Sequence, residues 1–414
     1  MERLEVNRRL FGGIQLWATL VIPAIALLIT LSAAQLQAQT MTILHTFTGR
    51  QDGGTPYAGV TFDRQGRIYG TTYSGGSHQQ GMVYRLVREG AGWVESPLYS
   101  FGPPQSLDGG MPVARVVFGP DGLLYGTTTG GGAYGLGTVF SLQPPASACK
   151  SALCPWRETV LHSFDFADGT DPGYGDLVFD QAGNIYGTAF NGGQGGGVVF
   201  ELSRSGSSWT EKVLWQFTYG SDGAYPVGGV IFDNAGNLYG TTSLAGANDD
   251  GAVYELSPTP SGWTEKTLYA FTNDDKGEGA GLLMDGQGNL FGITGVFGPG
   301  VVYELTPQNG SWSYTRLQTF SGTFDVGPVA PPTFDSQGNL YGPLPNSGSA
   351  EQGEIFKLTP LGNQWAYTPF YQFGAAGMGA YPYGTVVFDA NGNMYGTATG
   401  NTRGGYGTVW EITP

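Results

Sequence analysis

The sequence is poor in the residues that most often carry chemistry. Three histidines, two cysteines and a charged fraction of 12% are spread over 414 positions. No Gly-x-Ser-x-Gly, His-Glu-x-x-His or Cys–His constellation occurs, so the common nucleophile and metallopeptidase patterns are missing. Basic residues are few as well: 18 Lys and Arg stand against 33 Asp and Glu, for a net charge of −15. Such a surface repels phosphate backbones and anionic lipid, so nucleic acid is not an expected partner. What the chain does have is glycine, 71 residues, and aromatics at 13%. No Gly-X-Y period accompanies the glycines, which excludes collagen. The aromatics recur at regular places, which excludes disorder. Short strands joined by glycine turns fit this composition.

The one long apolar run lies at the N-terminus. Arg3, Arg8 and Arg9 precede the uncharged stretch Leu16 to Leu31, and Ser32-Ala33-Ala34 and Leu36-Gln37-Ala38 follow. Residues 1–38 read as a signal peptide cleaved after Ala34 or Ala38, where a signal peptidase accepts small side chains. A retained anchor is the alternative, although about sixteen apolar residues are short for a span of about twenty. Asn7-Arg8-Arg9-Leu10-Phe11 resembles a twin-arginine signal, but the ordinary secretory route is favoured. Cleavage leaves a chain one unit more negative, with no membrane segment expected after it. Cys149 and Cys154 sit in a local insertion, and in an oxidising compartment their expected state is a small disulfide.

One fingerprint, Phe-Asp-x-x-Gly-Asn-Leu-Tyr-Gly-Thr-Thr, recurs seven times with decay. Its aromatic before the central glycine is Tyr69, Tyr125, Tyr186, Tyr239, Phe291, Tyr341 and Tyr395, spaced by 50 to 61 residues. Each unit holds four strand-like runs, a to d. In the fourth unit they are Gly229–Phe232, Asn237–Thr242, Ala252–Leu256 and Thr264–Phe271. Four antiparallel strands per repeat describe a propeller blade. The phase of the repeat closes the ring. The chain begins after the signal with a lone d-type run, Thr42–Phe47, and ends on a c-type run, Gly407–Ile412, with no d of its own. Residues 41–414 are therefore expected to form an all-β, seven-bladed propeller whose N-terminal strand completes the last blade and removes a free edge.

The d–a and b–c connections then share one face. The d–a loops carry Asp52, Asp108, Asp168 and Asp222, with a shortened version at Asp325. A carboxylate ring near the channel mouth would hold Ca²⁺; recurrence in most blades favours a turn role instead. No other cofactor is expected. The glycine-rich b–c loops, such as Gly130-Gly131-Gly132, lack the Lys-Ser/Thr of a phosphate-binding loop. His45 and His162 occupy a d-strand slot filled elsewhere by Tyr99, Trp215, Tyr269, Gln318 and Tyr371, which reads as a packing position. Asp249-Asp250 and Asp274-Asp275 read as solvated loop charges. Candidate ligand contacts on the loop face are Tyr57, Tyr73, His78, Tyr134, Tyr174, Phe190, Tyr225, Tyr381 and Tyr406. Exposed rings there suit stacking on sugars or an extended peptide, and packing of the loops is the competing use.

The units Gly-Val-Ile-Phe-Asp-x-x-Gly-Asn-Leu-Tyr-Gly-Thr-Thr, Gly-Ala-Val-Tyr-Glu-Leu-Ser-Pro and Trp-Thr-Glu-Lys-x-Leu-Tyr-x-Phe resemble the Gloeo/Verruco tandem repeat proteins of bacteria. The resemblance spans residues 41–414 and implies a secreted or surface protein, often with a C-terminal anchor. This chain stops at Pro414 directly after strand c, so release into the periplasm or medium is expected over anchoring by that route. The family brings no activity to carry over. The expected function is a non-enzymatic, monomeric binding or scaffold propeller that engages a glycan, peptide or protein. The alternative is a secreted lyase or hydrolase with its site at the channel mouth, which requires His78, Asp52, Asp108 or Asp222 to converge.

Overall fold

The structure is a computed structural model and describes residues 39–145, 156–206, 208–275, 281–294, 300–320, 330–375, 379–400 and 405–413. Residues 1–38, Cys149, Cys154 and Asp325 lie outside the described residues, so the signal peptide and the disulfide are not addressed by it. Among the described residues no helix is long and apolar enough to cross a membrane.

The propeller, Met41–Ile412, has seven antiparallel four-stranded blades. Blade 1 runs Thr61–Phe62 (a), Ile68–Thr72 (b), Met82–Glu89 (c) and Gly92–Ser100 (d). Blades 2 to 6 repeat this order, with innermost strands at Val117–Phe118, Val178–Phe179, Ala224–Phe232, Leu283–Met284 and Thr333–Phe334. Blade 7 takes its inner three strands, Val387–Phe388, Met394–Ala398 and Thr408–Thr413, from the end of the chain. Its outer strand is Thr40–Thr46. The Phe47 N–H donates to the Gly407 carbonyl at 3.0 Å, which continues that pairing past the strand end. The closure expected from the repeat phase is thus present.

The fingerprint is explained residue by residue. Its glycine on strand b lies in register opposite a buried aromatic on strand c: Gly70 faces Tyr84, Gly126 Phe140, Gly187 Phe200, and so on to Gly396 and Trp410. The far edge of the ring reaches over the glycine, where a Cβ would stand. Strand b's own aromatic points to the next blade and meets the fingerprint Phe there edge-on, as Tyr69–Phe118 at 5.2 Å and Tyr125–Phe179 at 5.1 Å. The same contact, Tyr395–Phe62 at 4.9 Å, joins blade 7 to blade 1. The turn Asp uses one carboxylate oxygen for backbone N–H groups and the other for the Asn and the Tyr hydroxyl, as at Asp233 with Ala235, Asn237 and Tyr239. Burial opposes its ionisation, but these donors outweigh it and hold the carboxyl below its usual range. Apolar side chains collect into clusters between neighbouring blades; one joins Tyr69, Val83 and Phe101 of blade 1 to Val116, Leu124 and Phe140 of blade 2. The cluster between blades 7 and 1 contains Leu44 and Phe47 of the N-terminal segment.

In the d–a loops the described Asp residues make turn contacts, the role favoured for them over a Ca²⁺ ring. Each accepts from its own loop and from the d-strand slot behind it: Asp108 from Tyr99 at 2.7 Å and Gly102 N–H, Asp168 beside His162 at 2.9 Å, Asp222 from Trp215 and Thr218. Asp52 does the same with Thr48 N–H, and His45 lies 3.5 Å away. Among the described residues no three His, Cys, Asp or Glu converge as a metal site. The slot that accepts His, Tyr or Trp is therefore a hydrogen-bond donor position as well as a packing one. Asp275, read as a solvated charge, is 1% exposed and fills the same role for Tyr269 and Thr272.

Asp52, Asp108, Asp168 and Asp222 also lie near the outer strand of the following blade, where Glu95, Glu158, Glu211 and Glu265 recur. Burial, then the charge of Asp52 and Asp108 respectively, pushes Glu95 and Glu158 up to about 7. One carboxylate oxygen of each of Glu95, Glu158 and Glu211 is buried without a hydrogen-bond partner.

Two outcomes follow from these contacts. A Cβ at Gly187 would lie 2.7 Å from Phe200 Cζ. Gly187→Ala should therefore cost about 1–3 kcal/mol in denaturant unfolding; an unchanged midpoint would contradict the glycine–aromatic account. For Glu158, the raised pKa means that the folded state holds the proton more tightly than the unfolded chain. Its stability is then full below about pH 4.5 and lost as pH rises through about 7. Glu158→Gln should raise the melting temperature by about 1–3 °C near pH 8 and leave it unchanged near pH 4. A loss of stability near pH 8 would refute this.

Candidate functional site

The loop face is stitched by backbone. Four d–a loops pair with the b–c loop of the blade they enter, at Gly54 with Ser74, Gly109–Gly110 with Gly130–Gly131, Thr170 with Asn191 and Ala380 with Gly400. The residue before the loop proline takes a left-handed backbone in five blades: Thr55, Met111, Asp171, Tyr225 and Tyr381, with φ between 55° and 61°. Side chains other than glycine seldom adopt it. Here it turns the N–H back to the preceding blade: Met111 to the Gln80 carbonyl, Tyr225 to Gly196, Tyr381 to Gln352, each at 2.7 Å. Thr55 N–H reaches the Tyr406 carbonyl at 2.7 Å and repeats the stitch between blades 7 and 1. The face is thereby pre-organised.

At its centre the inner strands of neighbouring blades pack backbone to backbone. Gly59 and Gly384 touch across blades 1 and 7, and Gly175 touches Gly229 across blades 3 and 4. The space left at the mouth is about 70 Å³, far below the roughly 300–1,000 Å³ of ligand pockets. At the position that holds Gly59 and Gly229 in other blades, blades 2 and 3 carry Arg115 and Asp176. Arg115 Nε donates to the Asp176 carboxylate at 2.7 Å, and its backbone N–H to the other oxygen at 3.0 Å.

Five of the nine candidate ligand residues gather around this mouth. Tyr57 meets Tyr73 at 5.5 Å, and Tyr174, Phe190 and Tyr225 form a run with centroid distances of 5.0 and 4.8 Å. Tyr57 and Tyr174 both line the mouth, and burial raises both phenols above their ordinary pKa. Two further rings, overlooked in the sequence, complete the set. Tyr383 packs on Tyr57 at 5.7 Å, and Tyr219 packs on Tyr225 and bonds to its hydroxyl. Tyr383 was legible, since it follows its loop proline as Tyr57 does. The other candidates lie apart. Tyr381 accepts from Gln352, Tyr406 covers Gly49, and Tyr134 is 64% exposed. His78 is exposed and does not join Asp52, Asp108 or Asp222, each of which is engaged within its own loop. The convergence required by the lyase or hydrolase alternative is not formed.

Solved structures share the fold at low identity. The extracellular domain of a candidate one-component system from Bacteroides thetaiotaomicron aligns with a TM-score of 0.54 and 10% identity over 89% of this chain; the chain spans 40% of that protein's length. A candidate 6-phosphogluconolactonase from Bacteroides uniformis aligns with a TM-score of 0.51 and 14% identity, over 85% of this chain and 95% of the other. No curated protein matches the sequence. The model of the Gloeobacter/Verrucomicrobia repeat matches residues 30–154 and 152–313. With the repeat, its blade and its register all in place, the chain belongs to the Gloeobacter/Verrucomicrobia repeat family.

Proposed function

We propose that this protein is an exported, non-enzymatic binding propeller that holds a glycan or an extended peptide on its loop face. The observation that carries the reading is the convergence of Tyr57, Tyr73, Tyr174, Phe190 and Tyr225 around a channel mouth of about 70 Å³. A ligand laid across the mouth would meet Tyr57 and Tyr174, which line it. Rings held by backbone stitches need little ordering on binding, which favours affinity. Arg115 and Asp176 add charged groups for hydroxyls beside the rings. The basic N-terminal segment and the apolar run behind it support export.

A glycan array probed with the mature chain, followed by titration of the hits, tests this. Tyr57→Ala and Tyr174→Ala should each weaken binding about tenfold while melting stays close to that of the parent. Binding that survives both substitutions, or an array and a peptide panel without hits, would overturn the reading.

A further inference from the structure

A cavity lies on the opposite face, between blades 1 and 2, at an interface where the repeat is altered. It measures about 1060 Å³ and is bounded by the a–b turns of both blades, the outer strand of blade 1 and Trp156. Three repeat positions change character here. The turn Asn, present as Asn184, Asn237, Asn289, Asn339 and Asn393, is Arg67 in blade 1. The strand-c residue opposite the fingerprint aromatic, which is Glu201, Glu255, Glu304 and Glu411 in four blades, is Arg85. The fingerprint Asp of blade 2 is Gly119. Cations have replaced neutral and acidic groups at one interface of a chain whose net charge is −15.

These cations are not all satisfied from within. Arg67 is held by Asp63 and Gln65. Arg85 has its Nε buried with no hydrogen-bond partner, and among the described residues neither Arg85 nor the exposed Arg64 forms an ion pair. A buried guanidinium nitrogen without an acceptor is costly unless something supplies one. The carboxylates nearby are already engaged: Asp63 by Arg67 and Tyr69, Asp121 by the Leu123 N–H and the Tyr125 hydroxyl. Beside the arginines stands an aromatic wall, with Tyr69 at 5.2 Å from Phe118 and 6.2 Å from Trp156.

We infer that this cavity binds a uronate-bearing oligosaccharide, its carboxylate on Arg85 and Arg64 and a sugar ring along Phe118 and Trp156. Guanidinium and carboxylate match in a bidentate geometry, and the apolar face of a pyranose suits an aromatic wall. An extended acidic peptide fits less well. The outer strand that passes the cavity offers it little backbone, because Pro97 has no N–H and the Leu98 carbonyl already accepts from Trp156 at 2.9 Å.

Calorimetric titration of the mature chain with a short oligogalacturonate, a neutral galacto-oligosaccharide of equal length and an oligoglutamate separates the outcomes. The uronate should show a binding component that Arg85 substitution removes and that weakens as salt rises, and the other two should show no such component. Arg85→Gln should weaken it by about 10- to 100-fold. Arg85→Glu, which installs the residue four blades carry there, should fold normally and abolish binding. Tyr174→Ala, on the other face, should leave uronate affinity unchanged. Absence of uronate binding, an equal Arg85-dependent component with the neutral sugar or with oligoglutamate, or uronate binding indifferent to both Arg85 variants would overturn the assignment.

Discussion

The ring depends on one pairing between strands from opposite ends of the chain. A blade in a propeller buries its two faces only against its neighbours, so the structure has no core except the interfaces between blades. Remove Thr40–Thr46 and blade 7 loses its outer strand and exposes the edge of Thr408–Thr413. The interface between blades 7 and 1 also loses Leu44 and Phe47. Other contacts close at the same place: Tyr395 on Phe62, the Thr397 hydroxyl to the Ala58 carbonyl at 2.7 Å, and the Thr55 N–H to Tyr406. Counterparts of these contacts recur at other interfaces, as with Tyr69 on Phe118, the Thr71 hydroxyl to the Ala114 carbonyl and the Met111 N–H to Gln80, so closure requires no special chemistry. It requires only that the repeat be cut between c and d.

Much of this was legible because it is local and repeated. The turn Asp, its Asn and the Tyr six residues on lie within one hairpin, and seven copies reveal which positions matter. What could not be read was long-range register. The slot shared by His45, Tyr99, His162, Trp215 and Tyr269 looks like packing until an aspartate six to nine residues on is seen to bond to the last four and to lie 3.5 Å from His45. Asp275 looked like its neighbour Asp274, although its spacing from Tyr269 equals that of Asp168 from His162. The Arg115–Asp176 pair joins positions 61 residues apart, and only the curvature of the ring brings them together.

The repeat also determines where function can reside. Positions that recur in most blades are spoken for by turns, interfaces and stitches, and the carboxylates of the d–a loops are an example. Specialisation is left to residues that depart from the pattern. On the loop face these are the tyrosines at the channel mouth, together with Arg115 and Asp176. On the other face they are Arg67, Arg85 and Gly119. A stiff ring with two differently altered faces suits a protein that binds, because the frame contributes rigidity and leaves recognition to a few side chains.

The most direct measurement is thermal unfolding of two chains, one beginning at Gln39 and one at Thr48. If the N-terminal strand closes the ring, the shorter chain melts at lower temperature and over a broader range. A peptide spanning Thr40–Phe47, added in excess, then restores the sharp transition. Identical melting of the two chains, or a shorter chain indifferent to the peptide, would contradict closure by that strand.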